Sequence, residues 1–80
     1  MKVQLFGKPG CSLCVDAADL LDDLRSEFDF ELERLNILTE DSWFEKYRFL
    51  VPVIVIDGKE VVSLSVNRER LVAALHGASA

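Results

Sequence analysis

The chain has only two cysteines, one histidine, two prolines and four glycines in 80 residues. So few cysteines exclude a small secreted domain stapled by disulfides, which carries more of them and spreads them out. So little proline and glycine excludes a collagen-like or low-complexity chain. Positive charge is scarce too: 9 Lys and Arg face 14 Asp and Glu, a formal net charge of -5. Phosphate backbones are bound through a basic face, so nucleic acid is not the expected partner. No apolar run approaches the roughly 20 residues that span a bilayer. The apolar stretch Leu50 to Ile56 has Pro52 inside it. Met1 to Phe6 runs into a strand pattern and then a turn, which is not a secretory leader. The expectation is a soluble, monomeric, cytoplasmic protein with no membrane partner.

What is present is a folding composition, 50% apolar and 29% charged, which rules out a disordered acidic tail. Eighty residues make one domain, 1–80, with a small core that hides a little over roughly 60% of the unfolded surface.

Val3, Leu5 and Phe6 read as a short buried strand, broken by Gly7-Lys8-Pro9-Gly10. From Ser12 to Phe28 the period is helical, because Ala17, Leu20, Leu21, Leu24 and Phe28 form one apolar stripe opposite a row of acids. Phe30 to Ile37 reads as a second strand. Thr39-Glu40-Asp41 starts a short helix with Thr39 as cap, or Ser42 and Glu45 start it a turn later. Trp43, Phe44 and Tyr47 supply its apolar side. Val53 to Ile56 and Glu60 to Leu64 are strands joined by Asp57-Gly58, a strong hairpin turn. Asn67 caps a last helix that Gly77 ends, and the tail beyond His76 is expected to fray. The order is β-α-β-α-β-β-α, a four-stranded mixed α/β sheet flanked by helices. The first two strands are parallel and the last two antiparallel.

Cys11 and Cys14 carry the chemistry. Linked, they close a four-residue loop, which the chain-entropy formula values at roughly 2 kcal/mol, and they tie nothing distant together. Cys11 falls near a helix N-cap, where free N–H groups and the dipole favour its thiolate, and Cys14 lies a turn deeper. This suits an attacking and a resolving thiol. Lowering a thiol pKa from about 8.5 to about 7 raises attack only about threefold at pH 7, since nucleophilicity falls with basicity. The larger benefit is that Cys11 then leaves readily when Cys14 attacks. Lys8 adds positive charge nearby, or is an ordinary loop charge.

Other readings of these residues stand beside that one. CxxC is also half a zinc site, but the chain offers only His76 as a further ligand of that kind, which otherwise reads as a cation near a helix C-terminus. The thiols could also be inert and buried. Val51-Pro52 opens a strand, the place where proline is tolerated. Read locally, Pro52 is a trans residue that starts the strand. A cis bond there would leave the Val51 backbone free to pair with an extended substrate.

Lys8-Pro9-Gly10-Cys11-Ser12-Leu13-Cys14 after an opening strand, with Tyr47, Val51-Pro52-Val53 and Asp57-Gly58 later, resembles the small bacterial glutaredoxin-like family of the thioredoxin-fold superfamily. The resemblance runs from Lys2 to about His76. It implies a thioredoxin-like fold with sheet order 2-1-3-4. It also implies Cys11 as nucleophile, Cys14 as resolving cysteine, and Lys8, Val51 and Pro52 as substrate-binding residues with Pro52 cis. Ser12 and Leu13 stand where typical glutaredoxins have Pro and Tyr. Ser65-Val66-Asn67-Arg68 replaces the usual Gly-Gly-x-Asp, with Asn67 or Arg68 as the residues that would take over its part in holding glutathione. The implied activity is thiol–disulfide oxidoreduction on a disulfide-containing protein or small thiol. Glutathione or a thioredoxin-reductase-like enzyme would be the reductant, with no resident metal or cofactor. The rival functions are a copper or iron–sulfur carrier that uses the CxxC, and a non-catalytic interaction module.

Overall fold

The structure, a computed structural model, describes residues 1–79. Strand β1 (Lys2–Gly7) leads into helix α1 (Ser12–Leu24) and strand β2 (Glu31–Asn36). A single 3₁₀ turn (Ile37–Thr39) precedes helix α2 (Asp41–Tyr47). Strands β3 (Val53–Ile56) and β4 (Lys59–Ser63) and helix α3 (Arg68–Ser79) complete the chain. The sheet order is β2-β1-β3-β4, with β2 parallel to β1 and β3 antiparallel to both β1 and β4. This is the expected sheet order.

Alternation along the strands sends apolar residues to two cores. Val3, Leu5, Ile54, Ile56 and Val62 pack with the stripe of α1 and with Leu71 and Leu75 of α3. Phe6, Val53 and Val55 pack on the opposite face with Ile37, Tyr47, Val51 and Cys14. Thus α1 and α3 cover one face and α2 the other. Both central strands serve both cores, and all four residues of β3 are buried.

Asp57 and Gly58 both have positive φ (49° and 84°), the conformation the two-residue hairpin requires. Asp57 also ties the hairpin to the N-terminus: its Oδ1 accepts from the Lys2 amide at 2.8 Å. Along β3 and β4 the pairing steps from Ile54↔Val62 to Val55↔Glu60, so Val61 is an extra residue in β4. This bulge reverses the parity of the strand. Val62 faces the α1–α3 core while Glu60, two residues earlier, faces α2.

Several boundaries differ from the sequence expectation. Gly7 belongs to β1, not to the turn after it. Helix α1 ends at Leu24, because the amides of Glu27 and Phe28 both turn back to the Leu24 carbonyl (3.0 and 2.9 Å) and unwind the last turn. Phe28 still packs on the core from that turn. Thr39 is not the α2 cap. Its hydroxyl donates to the Asn36 carbonyl, Asn36 Oδ1 caps the 3₁₀ turn, and Glu40 stands at the α2 N-cap without a side-chain bond. Phe44 points outward with Arg48 over its ring, so the apolar side of α2 is Trp43 and Tyr47. β4 begins at Lys59 and stops at Ser63, since Leu64 takes a positive φ of 62°. Asn67 caps α3 through the Arg70 amide at 2.9 Å, as expected. Gly77 does not end that helix, which runs to Ser79. A glycine costs only about 1 kcal/mol in a helix and stops it mainly when its φ turns positive. Ala80, the end of the tail expected to fray, lies outside the described residues.

Candidate functional site

Gly10 turns the chain after β1 with φ at 77°, and this delivers Cys11 to the head of α1. Cys11 is the N-cap, with φ −96° and ψ 104°. Its Sγ accepts a hydrogen bond from the Cys14 amide at 3.2 Å, in the place a Ser or Asp oxygen usually fills. The first turn of α1 holds no acid, so no carboxylate competes for these amides. The two cysteines form a disulfide with their Cα atoms 5.2 Å apart. Cys11 is partly exposed, whereas Cys14 is 7% exposed and belongs to the α2-side core. The asymmetry expected from helix position is therefore present.

Gly7 explains how Cys14 fits. A Cβ on Gly7 would stand 3.1 Å from Cys14 Cβ and 3.2 Å from its Sγ. The bare glycine at the end of β1 lets α1 begin this close to the sheet.

The Val51–Pro52 bond is cis, which corrects the local reading of a trans residue and agrees with the resemblance. Val51 lies in the same core cluster as Cys14, with Cys11 packed against it. Pro52 is buried, and its carbonyl accepts from the Leu64 amide at 3.0 Å. The Leu64 amide also reaches the Leu50 carbonyl at 3.1 Å, so the turn after β4 closes over the loop before β3. Leu13, Leu50 and Leu64 remain exposed apolar residues at the CxxC turn and beside Pro52.

A clamp the sequence does not advertise supports this loop. Tyr47 packs against Phe6, ring centroids 4.8 Å apart, and its hydroxyl donates to Glu60 Oε1 at 2.9 Å. Lys46 Nζ reaches the same oxygen at 3.1 Å. Hydrogen bonds from Lys46 and then from Tyr47 hold the Glu60 carboxyl below its usual range, and burial followed by the Glu60 bond pushes the Tyr47 phenol up. Trp43 meets Phe6 edge-on at 5.4 Å.

The other expected site residues disperse. Lys8 is exposed and lines a cleft of about 330 Å³ that opens beside Cys14, together with Arg34 and Asn36. Arg68 is paired with Glu27 at 3.2 Å, and the Asn67 side chain is spent on its cap. His76 sits in the last turn of α3 with its ring edge-on to Phe28 at 5.0 Å. Among the described residues no three His, Cys, Asp or Glu side chains gather as a metal site, and no helix is long and apolar enough to cross a membrane. Gly7, Glu60, Arg34 and Leu64 were not singled out from the sequence. A glycine closing a strand just before CxxC is the one signal that pointed to any of them.

The comparisons agree with this geometry. A "Glutaredoxin-like protein YDR286C homolog" from Dictyostelium discoideum is 29% identical over 77 residues, covering 89% of this chain and 71% of that protein. The solution structure of protein Ne2328 from Nitrosomonas europaea is 30% identical, with a TM-score of 0.77 over 92% of this chain and 89% of that one. Glutaredoxin from E. coli shares the fold, with a TM-score of 0.63 at 22% identity over 96% of this chain and 95% of its own. The model of the glutaredoxin-like domain (DUF836) matches residues 2–76, so this chain, with its paired cysteines at the head of α1, belongs to that glutaredoxin-like family and has the thioredoxin-like fold.

Proposed function

We propose that the protein is a dithiol–disulfide oxidoreductase. The observation that carries the reading is the pairing of a partly exposed N-cap sulfur, Cys11, with a buried sulfur within bonding reach, Cys14. In the reduced protein the Cys14 N–H that meets Cys11 Sγ donates to its thiolate, which favours ionisation and attack. The Cys11 thiolate attacks one sulfur of a substrate disulfide and the other sulfur departs as a thiolate. Cys14, deprotonated, then attacks Cys11 Sγ, the second substrate sulfur departs, and the Cys11–Cys14 disulfide forms. Two electrons pass to the substrate, and the two thiol protons end on the released sulfurs.

The substrate is a disulfide in a protein or a small thiol. Exposed Leu13 at the CxxC turn, with exposed Leu50 and Leu64 around Pro52, favours a polypeptide with apolar residues near its disulfide. Lys8 completes the binding residues as an exposed cation for an anionic group of substrate or reductant. Glutathione or a thioredoxin-reductase-like enzyme returns the dithiol. The chain acts as a monomer in the cytoplasm, where the glutathione pool keeps such pairs reduced.

The test compares turnover of a mixed-disulfide peptide with glutathione plus its reductase against turnover with thioredoxin reductase, for wild type, Cys11→Ser and Cys14→Ser. Wild type turns over with at least one system, Cys11→Ser does not, and Cys14→Ser stalls as a covalent mixed disulfide. Equal rates for Cys11→Ser and wild type would overturn the reading.

A further inference from the structure

The cleft beside Cys14 has a composition unlike the rest of the molecule. The chain carries 14 acids and a net charge of -5, yet no acid lines this cleft. Its polar side chains are Lys8, Arg34 and Asn36. The parallel register explains why they converge: Leu5 pairs with Arg34 and Gly7 with Asn36, so these residues share the α1 face at the β2 edge of the sheet. Among the described residues, neither Lys8 nor Arg34 forms an ion pair with a carboxylate. The Asn36 oxygen accepts from the Leu38 amide at 2.9 Å, which leaves its NH₂ to donate. Every polar side chain in the cleft is thus a donor without an anionic acceptor. Leu5, Val15 and Leu35 supply apolar walls, and the volume of about 330 Å³ suits a small molecule. No residue of the Val51–Pro52 loop takes part, so the cleft shares only Lys8 with the residues proposed to bind the disulfide substrate.

We infer that this cleft binds a small anionic molecule, with Arg34 and Lys8 on its carboxylate or phosphate group and Asn36 as a further donor, next to the Cys14 side of the pair. Arginine and lysine recognise both oxyanions through charge-assisted hydrogen bonds. The inference goes beyond the redox reading and stands or falls without it, because binding here requires no turnover.

The test uses the oxidised full chain labelled with ¹⁵N. Inorganic phosphate and succinate are titrated in separate arms against sodium chloride of matched ionic strength. Either anion is expected to shift the amides of Gly7, Gly10, Val15, Arg34 and Asn36 saturably, and the arm that responds tells a phosphate ligand from a carboxylate one. Arg34→Gln should weaken binding about tenfold or more, the usual value of a charged hydrogen bond. Arg70→Gln, an exposed change on α3, should leave it unaltered. Arg34 is exposed, and the dispersion of the spectrum reports whether the variant is folded. No saturable response to either anion above chloride, or equal affinity in Arg34→Gln and wild type, would overturn the inference.

Discussion

Gly7 and Cys14 are in contact across the junction of β1 and α1, and a methyl group added to Gly7 would lie 3.1 Å from the Cys14 Cβ. That atom belongs to a buried side chain in the first turn of a helix, so relief requires α1 or the strand end to move. Gly7→Ala should therefore destabilise the oxidised protein by about 1 kcal/mol, as overpacking exceeds the small gain from a less flexible unfolded chain. Gly7→Val should cost more. Urea unfolding of the three proteins checks this, and an Ala variant as stable as wild type would show that the contact is slack.

Tyr47→Phe removes the hydroxyl that reaches Glu60. Hydrogen bonds to charged groups contribute about 1.5–3 kcal/mol when shielded, and the Glu60 side chain is 48% exposed. A loss near 1 kcal/mol is expected in wild type, and distinctly less in a Glu60→Gln background. A double-mutant cycle measures the difference, and additive effects would mean that the two groups are not coupled.

The same network sets a pH dependence. The folded state holds the Glu60 carboxyl below its ordinary 4.5, so the unfolded state binds the proton more readily. Its stabilisation is present above that value and is lost as pH falls through the folded pKa. Tyr47 has the opposite sign: its folded pKa lies above 10.0, so its contribution is present below that value and is lost as pH rises beyond it. Stability measured from neutral pH into acid should fall less steeply in Glu60→Gln than in wild type. Parallel acid limbs would contradict this.

Leu64 holds a φ of 62°, where a leucine costs roughly 1–2 kcal/mol relative to glycine. Leu64→Gly relieves that strain but loosens the unfolded chain and removes a half-exposed side chain, so the melting temperature should change little. Leu64→Val, branched at Cβ, should lower it by about 4–8 °C. A valine variant with an unchanged melting temperature would mean that the turn adopts another conformation.

Reduced protein treated with iodoacetamide at neutral pH should be alkylated at Cys11 at least about tenfold faster than at Cys14, because one sulfur is partly exposed at the N-cap and the other is buried. Peptide mapping after partial labelling decides it. Equal labelling would indicate that α1 opens in the dithiol form.

The elements and their order were legible because each has a local signal: the alternation of β1, the apolar stripe of α1, Asp57-Gly58, the Asn67 cap. Cys11 and Cys14 were legible for the same reason, since their spacing alone fixes them to one helix turn. Two kinds of feature were hidden. One is parity, since nothing in Glu60-Val61-Val62 announces that Val61 is extra. The other is convergence of distant residues, as with Arg34 and Lys8 or Tyr47 and Glu60, which depends on strand order and register. The end of α1 was missed for a third reason: Phe28 keeps its place in the core from a turn as readily as from a helix, so the apolar period overshoots Leu24.

The extra residue in β4 lets one short edge strand serve two layers with opposite demands, an apolar side chain to one and a carboxylate to the other. A relative lacking a residue at that point would face a choice. It could keep the apolar contact of Val62 and swing its acid away from α2, or keep the acid and bury it against leucines. Shortening the strand in an engineered version of this protein would therefore cut the Tyr47–Glu60 tie between α2 and β4 while leaving the tyrosine ring seated on Phe6.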